Sequence, residues 1–184
     1  MAEGIALKTM EANCLSFSLL ESPVGWIGVV ANGESLLEVH LHPDKGKVRH
    51  HFEAAWPTAS SGDDGLTGVA MGQLEEYFLG QREEFHLPLD FSHLPPFFAK
   101  ILDTLRRVPF GKTITYGELA RQSGHPRAAR AVGRAMAVNP FPIIVPCHRV
   151  VGAGGRLTGY SGGKGIDTKK WLLDFEGGRA EIFL

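Results

Sequence analysis

Pro95-Pro96 divides this chain near its middle, because two consecutive rings with fixed φ and no N–H cannot continue a strand and suit the first turn of a helix. The division coincides with a change of charge. Residues 1–93 carry 5 Lys and Arg against 14 Asp and Glu, a formal −9, whereas residues 94–184 carry 14 against 6, a formal +8. The total of −1 conceals a dipole, and the basic part is the one to meet a polyanion such as nucleic acid. Two domains, 1–93 and 94–184, are therefore expected.

At 43% hydrophobic and 21% charged residues the chain belongs with folded soluble proteins, which excludes disorder, collagen and coiled coil. Its apolar runs are as short as Ile143-Ile144-Val145, and Glu3 and Glu11 interrupt the N-terminal ones, so neither a spanning helix nor a signal peptide is expected. No membrane partner and a cytoplasmic location follow. Cys14 and Cys147 are too few for a disulfide framework or a four-cysteine zinc site, which leaves free-thiol chemistry.

In the first part, Leu15, Phe17 and Leu19 alternate, Ser22-Pro23 turns, Trp26–Val30 is apolar, Asn32-Gly33 turns, and Leu37, Val39 and Leu41 alternate again. This pattern predicts a three-stranded antiparallel meander. Helices are predicted over Val48–Trp56 and Val69–Leu79, a polar loop over Thr58–Gly65, and a strand over Phe85–Leu89. The fold class is α+β: a small N-terminal sheet with helices, then a mostly helical, winged-helix-like C-terminal domain. His40, His42, His50, His51 and His86 show no metal-type spacing and read as surface or half-buried histidines.

In the second part, Phe98, Ile101, Leu102 and Leu105 stripe a helix over Phe97–Val108. Thr115-Tyr116-Gly117-Glu118 fits a capping box opening a short helix that ends at Gly124, and a second helix is predicted from Pro126 through Arg127–Ala137. Two short helices across a glycine turn make a helix-turn-helix candidate. The second presents Arg127, Arg130 and Arg134 on one face and Val132 and Met136 on another, with Ala or Gly almost everywhere else. Small side chains let a helix approach a groove closely, but an Ala-rich packing helix with a solvated arginine face reads the same way.

The triplet Cys147-His148-Arg149 interrupts what reads as a buried strand, Ile143–Val151. Burying those groups is costly, and a basic or proton-accepting neighbour lowers a thiol pKa, so the triplet points to a reactive Cys147. Residues adjacent in an extended segment face opposite sides, so a bridging water or a turn is required for His148 to serve Cys147. A histidine base also needs an acceptor on its other nitrogen, and Asp103, Glu118, Asp167, Asp174, Glu176 and Glu181 are the candidates.

Pro146-Cys147-His148-Arg149-Val150, preceded by Ala129-Arg130-Ala131-Val132-Gly133 and Asn139-Pro140 and followed by Gly159-Tyr160-Ser161-Gly162-Gly163 and Lys170-Trp171-Leu172-Leu173, resembles the O6-alkylguanine-DNA alkyltransferase family. The resemblance runs without a gap from about Lys112 to Gly163, resumes through Glu176-Gly177, and extends more loosely to the first domain. It implies single-turnover transfer of an alkyl group from O6-alkylguanine in double-stranded DNA to Cys147, activated through a water by His148, which Glu176 orients. It further implies that Arg130 enters the duplex from the minor groove in place of the extruded nucleotide, flanked by Arg127, Ala128, Ala129, Ala131, Gly133 and Arg134. Tyr116 would help rotate the base out and donate to it, Asn139 would be the hinge, and the carbonyls of Val150 and Cys147 with Tyr160 and Ser161 would line the guanine pocket. No cofactor and a monomer are implied, with a nuclear or nucleoid location according to cell type.

The chemistry agrees, since a soft thiolate suits displacement at an alkyl carbon and no second nucleophile is at hand to cleave the thioether. Two departures stand out. Some members bind zinc in the first domain through two cysteines and two histidines, whereas here only Cys14 is available, so no metal is expected. The Lys164–Thr168 segment is about two residues longer than the family's spacing, which bears on the placing of Glu176, and Thr158 stands where some members have a smaller residue, predicting poorer acceptance of benzyl groups. The alternatives are a lesion-binding module without transfer, a helix-turn-helix regulator, which leaves the triplet unexplained, and a cysteine hydrolase, which lacks further machinery.

Overall fold

A computed structural model describes residues 15–63 and 65–177. The N-terminal stretch with Glu3, Glu11 and Cys14, and Glu181 at the other end, lie outside the described residues. The expected meander is present as β1 (Ser16–Ser22), β2 (Gly25–Ala31) and β3 (Leu36–His42), paired antiparallel in sequence order. The polar loop contributes a short fourth strand, β4 (Ser60–Ser61), parallel to β1, so the sheet order is β3-β2-β1-β4.

Helix α1 (Lys45–Ala55) starts three residues earlier than the apolar pattern indicates, because Asp44 caps it by accepting from the Lys47 amide. Val48 and Phe52 bury on one face of the sheet with Phe17 and Val30. Gly28 lies beneath them, where a Cβ would come within 2.1 Å of the Phe52 ring, so this glycine sets how closely α1 approaches. Helix α2 (Leu66–Phe78) covers the other face through Ala70, Leu74 and Tyr77, which belong to a core that continues into the second part of the chain.

Phe85–Leu89 does not form the expected strand: only Leu89 bridges to Leu36, since Pro88 within the run has no N–H to donate. The outer edge of β3 is covered instead by separate segments. Leu36 donates to Pro88 and accepts from Asp90, Val39 donates to the Pro140 carbonyl at 2.7 Å, and the Leu41 carbonyl accepts from Gly163 at 3.0 Å. Elements of the second part thus complete the edge of the first part's sheet.

Helix α3 (Pro96–Leu105) begins at the diproline as expected and buries Ile101, Leu102 and Leu105, but ends in a turn before Val108. The two-residue strand β5 (Ile114–Thr115) leads into α4 (Tyr116–Gln122), whose capping box is complete. Helix α5 (Ala129–Ala137) starts later than predicted. Pro126 and Arg127 form a turn in which Ala128 donates to His125, and Val132, Ala135 and Met136 then face the core. A second short strand, β6 (Val150–Val151), pairs parallel with β5, and α6 (Ile166–Glu176) closes the fold. Among the described residues no helix is long and apolar enough to cross a membrane.

Candidate active site

Of the run Ile143–Val151, which reads as a buried strand, only Val150–Val151 forms one, as β6; residues 139–149 fold as a tight loop. The Asn139 side chain holds it, its amide donating to the Val145 carbonyl at 2.9 Å and its oxygen accepting from the Phe141 amide at 3.0 Å. Inside the loop Ile143 adopts φ 73°, a left-handed conformation that a β-branched residue avoids unless its surroundings enforce it; its side chain is buried. The chain then enters a single 3₁₀ turn, Cys147–Arg149, through Pro146. That turn supplies what an extended triplet could not, since all three side chains point into the protein and are buried.

Of the five candidate acceptors among the described residues, Glu176 is the one that reaches His148. Its Oε1 lies 2.8 Å from His148 Nε2, so the longer Lys164–Thr168 segment does not displace it. The same carboxylate accepts from Arg149 Nε and Nη2 at 2.8 Å each, from the Tyr77 hydroxyl at 2.8 Å and from the Gly111 amide at 3.3 Å. Gly111 sits at φ 69°, with its would-be Cβ 3.0 Å from the Glu176 carbonyl, a fit that admits no side chain. Burial opposes charge on Glu176, but the bonds and charges of His148 and Arg149 outweigh it and bring its pKa to about 2.

His148 has no solvent exposure, and burial lowers its pKa despite the adjacent carboxylate. The imidazole is therefore neutral near pH 7. An ionised carboxylate can only accept, so the proton resides on Nε2 and Nδ1 presents a lone pair. Nδ1 is buried and has no partner within the protein. The fold thus holds a base with its accepting nitrogen open beside the only cysteine among the described residues.

Cys147 is 7% exposed, and burial raises its pKa, while a hydrogen bond from the Asn139 side chain and the charge of Lys169 pull the other way. Arg149 does not activate the thiol as its adjacency suggests. Its guanidinium is committed to Glu176 and to the Val108 carbonyl. The cation near the thiol is Lys169, fully buried, with Nζ 2.6 Å from the Val150 carbonyl and 3.1 Å from that of Thr158.

Cys147 opens onto a cleft of about 370 Å³ bordered by Tyr116, Gly133, Met136, Ala137, Gly159, Tyr160 and Ser161. A larger depression of about 640 Å³ between β3 and Asn139–Pro142 shares Ala137 and Ser161 with it but does not reach the thiol. Tyr116, at the start of α4, hydrogen-bonds Thr158 Oγ1 at 2.8 Å. The Tyr160 hydroxyl is buried without a partner, and burial pushes its pKa well up. Val150 does not border the cleft: its carbonyl is turned to Lys169, and the Cys147 carbonyl already accepts from the Val150 amide.

One wall of the cleft is α5, which contributes Gly133, Met136 and Ala137. Arg130 and Arg134, both exposed, lie one turn from Gly133 and Ala137 on the adjoining side of the helix, and Ala129 and Ala131 are half-buried. Arg127 and Ala128 precede the helix, so Arg127 extends the arginine face from the turn rather than from the helix itself. Among the described residues none of the three arginines forms an ion pair.

Family models match both parts of the chain: 6-O-methylguanine DNA methyltransferase, ribonuclease-like domain, over residues 15–91, and its DNA binding domain over residues 96–178. The chain belongs to the 6-O-methylguanine DNA methyltransferase family. Among its relatives, a methylated-DNA–protein-cysteine methyltransferase of Methanosarcina acetivorans is 39% identical over 88% of this chain and 97% of its own length. That of Mycobacterium leprae is 46% identical over 85% and 89%. A solved structure of Mycobacterium tuberculosis OGT in complex with DNA superposes with a TM-score of 0.74 at 37% identity, covering 90% of this chain and 94% of that one. The methyltransferase resemblance seen in the sequence thus holds for both parts, and the α+β fold with it.

Three members of the site escape sequence reasoning. Tyr77 and Lys169 carry no motif, and the role of Arg149 as the main partner of Glu176 is hidden by its position next to Cys147. A buried lysine on the inner face of α6 shows in sequence only as one of two consecutive lysines, Lys169-Lys170.

Proposed function

We propose that the chain repairs alkylated DNA directly, with Cys147 as the acceptor that takes the alkyl group from O6-alkylguanine. The activity is that of a methylated-DNA–protein-cysteine S-methyltransferase, an enzyme that acts once. The observation that carries this reading is the open, buried Nδ1 of a neutral His148 fixed by Glu176 beside Cys147.

The thiol proton passes to His148 Nδ1 through a water, and the imidazolium that forms is stabilised by the ionised Glu176. The Cys147 thiolate attacks the alkyl carbon in line with its bond to O6. A C–S bond forms as the C–O bond breaks, and the electron pair leaves with the purine oxygen. Donors at the cleft, Tyr116 and Ser161, meet the developing negative charge, and the proton held on His148 returns to the departing guanine. Thiol and alkylated base become thioether and guanine, and nothing in the cleft cleaves the thioether, so each molecule reacts once.

The reacting atom of a base is inside the stack, so the nucleotide is flipped out before transfer. Arg130 on the exposed side of α5 fills the vacated space from the minor groove, with Ala128, Ala129, Ala131 and Gly133 permitting close approach and Arg127 and Arg134 meeting phosphates. Asn139 is the hinge joining α5 to the acceptor loop. The sheet-bearing 1–93 and the helical 94–184 act as two domains, the second binding double-stranded DNA. The protein works as a monomer, without a cofactor, in the compartment that holds the DNA: the cytoplasm and nucleoid, or the nucleus.

Incubation with a duplex containing O6-methylguanine, followed by intact and peptide mass spectrometry, tests this. One methyl on the peptide holding Cys147, saturating at one per chain and absent from Cys147→Ala, is the expected result. Binding without any change of mass would make the protein a lesion binder instead.

A further inference from the structure

The face of the first domain that carries α1 holds a cluster of side chains with no part in alkyl transfer. On β3, Glu38 and His40 are two residues apart and so project to one side of the sheet. Burial of Val48 and Phe52 against that side brings His51, on the same helix, over the pair. His51 Nε2 lies 2.5 Å from Glu38 Oε1, and the His40 and His51 rings stack at 3.9 Å with 12° between their planes. One ligand atom from each of the three residues lies within 4.8 Å of the others.

We propose that Glu38, His40 and His51 form a binding site for a divalent transition-metal ion of the zinc class. Two imidazoles and one carboxylate suit Zn²⁺ and its neighbours, whereas Mg²⁺ and Ca²⁺ take oxygen-only sets. Glu38 is held for this task by a bond from Trp56 Nε1 to its other oxygen at 3.0 Å, the kind of outer contact that fixes a ligand's orientation. Both histidines are half-buried beside an open depression that His42, Lys47 and His50 also line, which gives an ion a way in and two further imidazoles within the same depression. The ion would pin α1 to β3, with a role in stability rather than in transfer. The ligand set is unlike the two cysteines and two histidines of the zinc-binding relatives.

The test is titration of the full-length protein with Co²⁺ and Zn²⁺, followed by visible absorption, calorimetry and thermal melting. The expected result is one ion per chain, a cobalt spectrum free of thiolate charge-transfer bands, and a higher Tm with Zn²⁺ but not with Mg²⁺. His40→Asn and His51→Asn should each weaken binding about tenfold or more while methyl transfer to Cys147 proceeds at the wild-type rate. The melting temperature without metal shows that each variant is folded. Absence of binding in excess Zn²⁺, a thiolate band, or unchanged affinity in both variants would overturn the proposal.

Discussion

The Tyr77 hydroxyl donates at 2.8 Å to the same Glu176 oxygen that holds His148, across 99 positions of sequence. A helix of the sheet-bearing part thereby reaches the carboxylate behind the acceptor's base, and the alignment of the site depends on how the two parts pack. Tyr77→Phe keeps the ring contacts with Phe78, Phe85, Phe110 and Phe175 while removing one donor from a buried charge. A loss of about 1–3 kcal/mol in stability is expected. The single-turnover methylation rate should fall as well, and by less than in Glu176→Gln; denaturant melts and quenched-flow transfer assays read the two effects.

Stability should decline on the acid side in two stages. His148 has a pKa below the ordinary 6.5, and Glu176 one near 2 instead of 4.5, so in both cases the unfolded chain binds the proton first. The His148 contribution is complete above 6.5 and begins to be lost just below it. That of Glu176 is complete above 4.5 and is lost as the pH falls through about 2. Urea midpoints recorded from pH 7 to pH 3 should fall throughout, and Glu176→Gln should flatten the lower stage; a constant midpoint across this range would contradict the assignment.

On the proposed mechanism transfer requires the neutral imidazole, so its rate should follow the folded His148. The acid limb of the pH–rate profile should lie below 6.5 for the wild type. A limb at or above that value would mean that the imidazole is stabilised as a cation, contrary to its burial. Stopped single-turnover measurements at constant ionic strength are sufficient.

The proposed contact with DNA rests on the exposed arginines of α5. Arg134→Ala should weaken binding to damaged and undamaged duplexes alike and make the slope of log K against log salt shallower by about one. On the proposed insertion, Arg130→Ala should cost more with damaged duplex; fluorescence of a base analogue opposite the lesion would report the loss of flipping. Equal effects of both variants on both duplexes would remove the inserting role from Arg130.

Thr158 is hydrogen-bonded to Tyr116, which borders the cleft. Thr158→Ala frees the tyrosine hydroxyl at the cleft. The rate with O6-benzylguanine should rise relative to that with O6-methylguanine, and identical ratios in wild type and variant would show that the edge does not select substrate size.

Local chemistry was readable from sequence where it acts over a few residues: the turns at Ser22-Pro23 and Asn32-Gly33, the capping box at Thr115–Glu118, and the stripe of α3. Helix starts were less so, since Asp44 begins α1 before its apolar pattern and Pro126 occupies a turn rather than α5. The Cys147–Arg149 turn could not be read from a β-branched run because the bend depends on Asn139 and on a strained Ile143 that tertiary packing enforces. Tyr77, Lys169 and the Glu38–His40–His51 cluster became visible only once distant segments were brought together, as pairings between elements leave no periodic trace.

The outer edge of β3 has a consequence for how the protein is made. Its hydrogen bonds come from around Leu89, from Pro140 and from Gly163, and the base's carboxylate stands in the last turn of α6. A chain still on the ribosome therefore presents an unsatisfied strand, open to mispairing, until well over half of it has emerged. Its thiol, meanwhile, has no paired base before Glu176 arrives. On the proposed mechanism, a protein that reacts once would gain from this order of assembly, because its acceptor is fully activated only when the fold is complete.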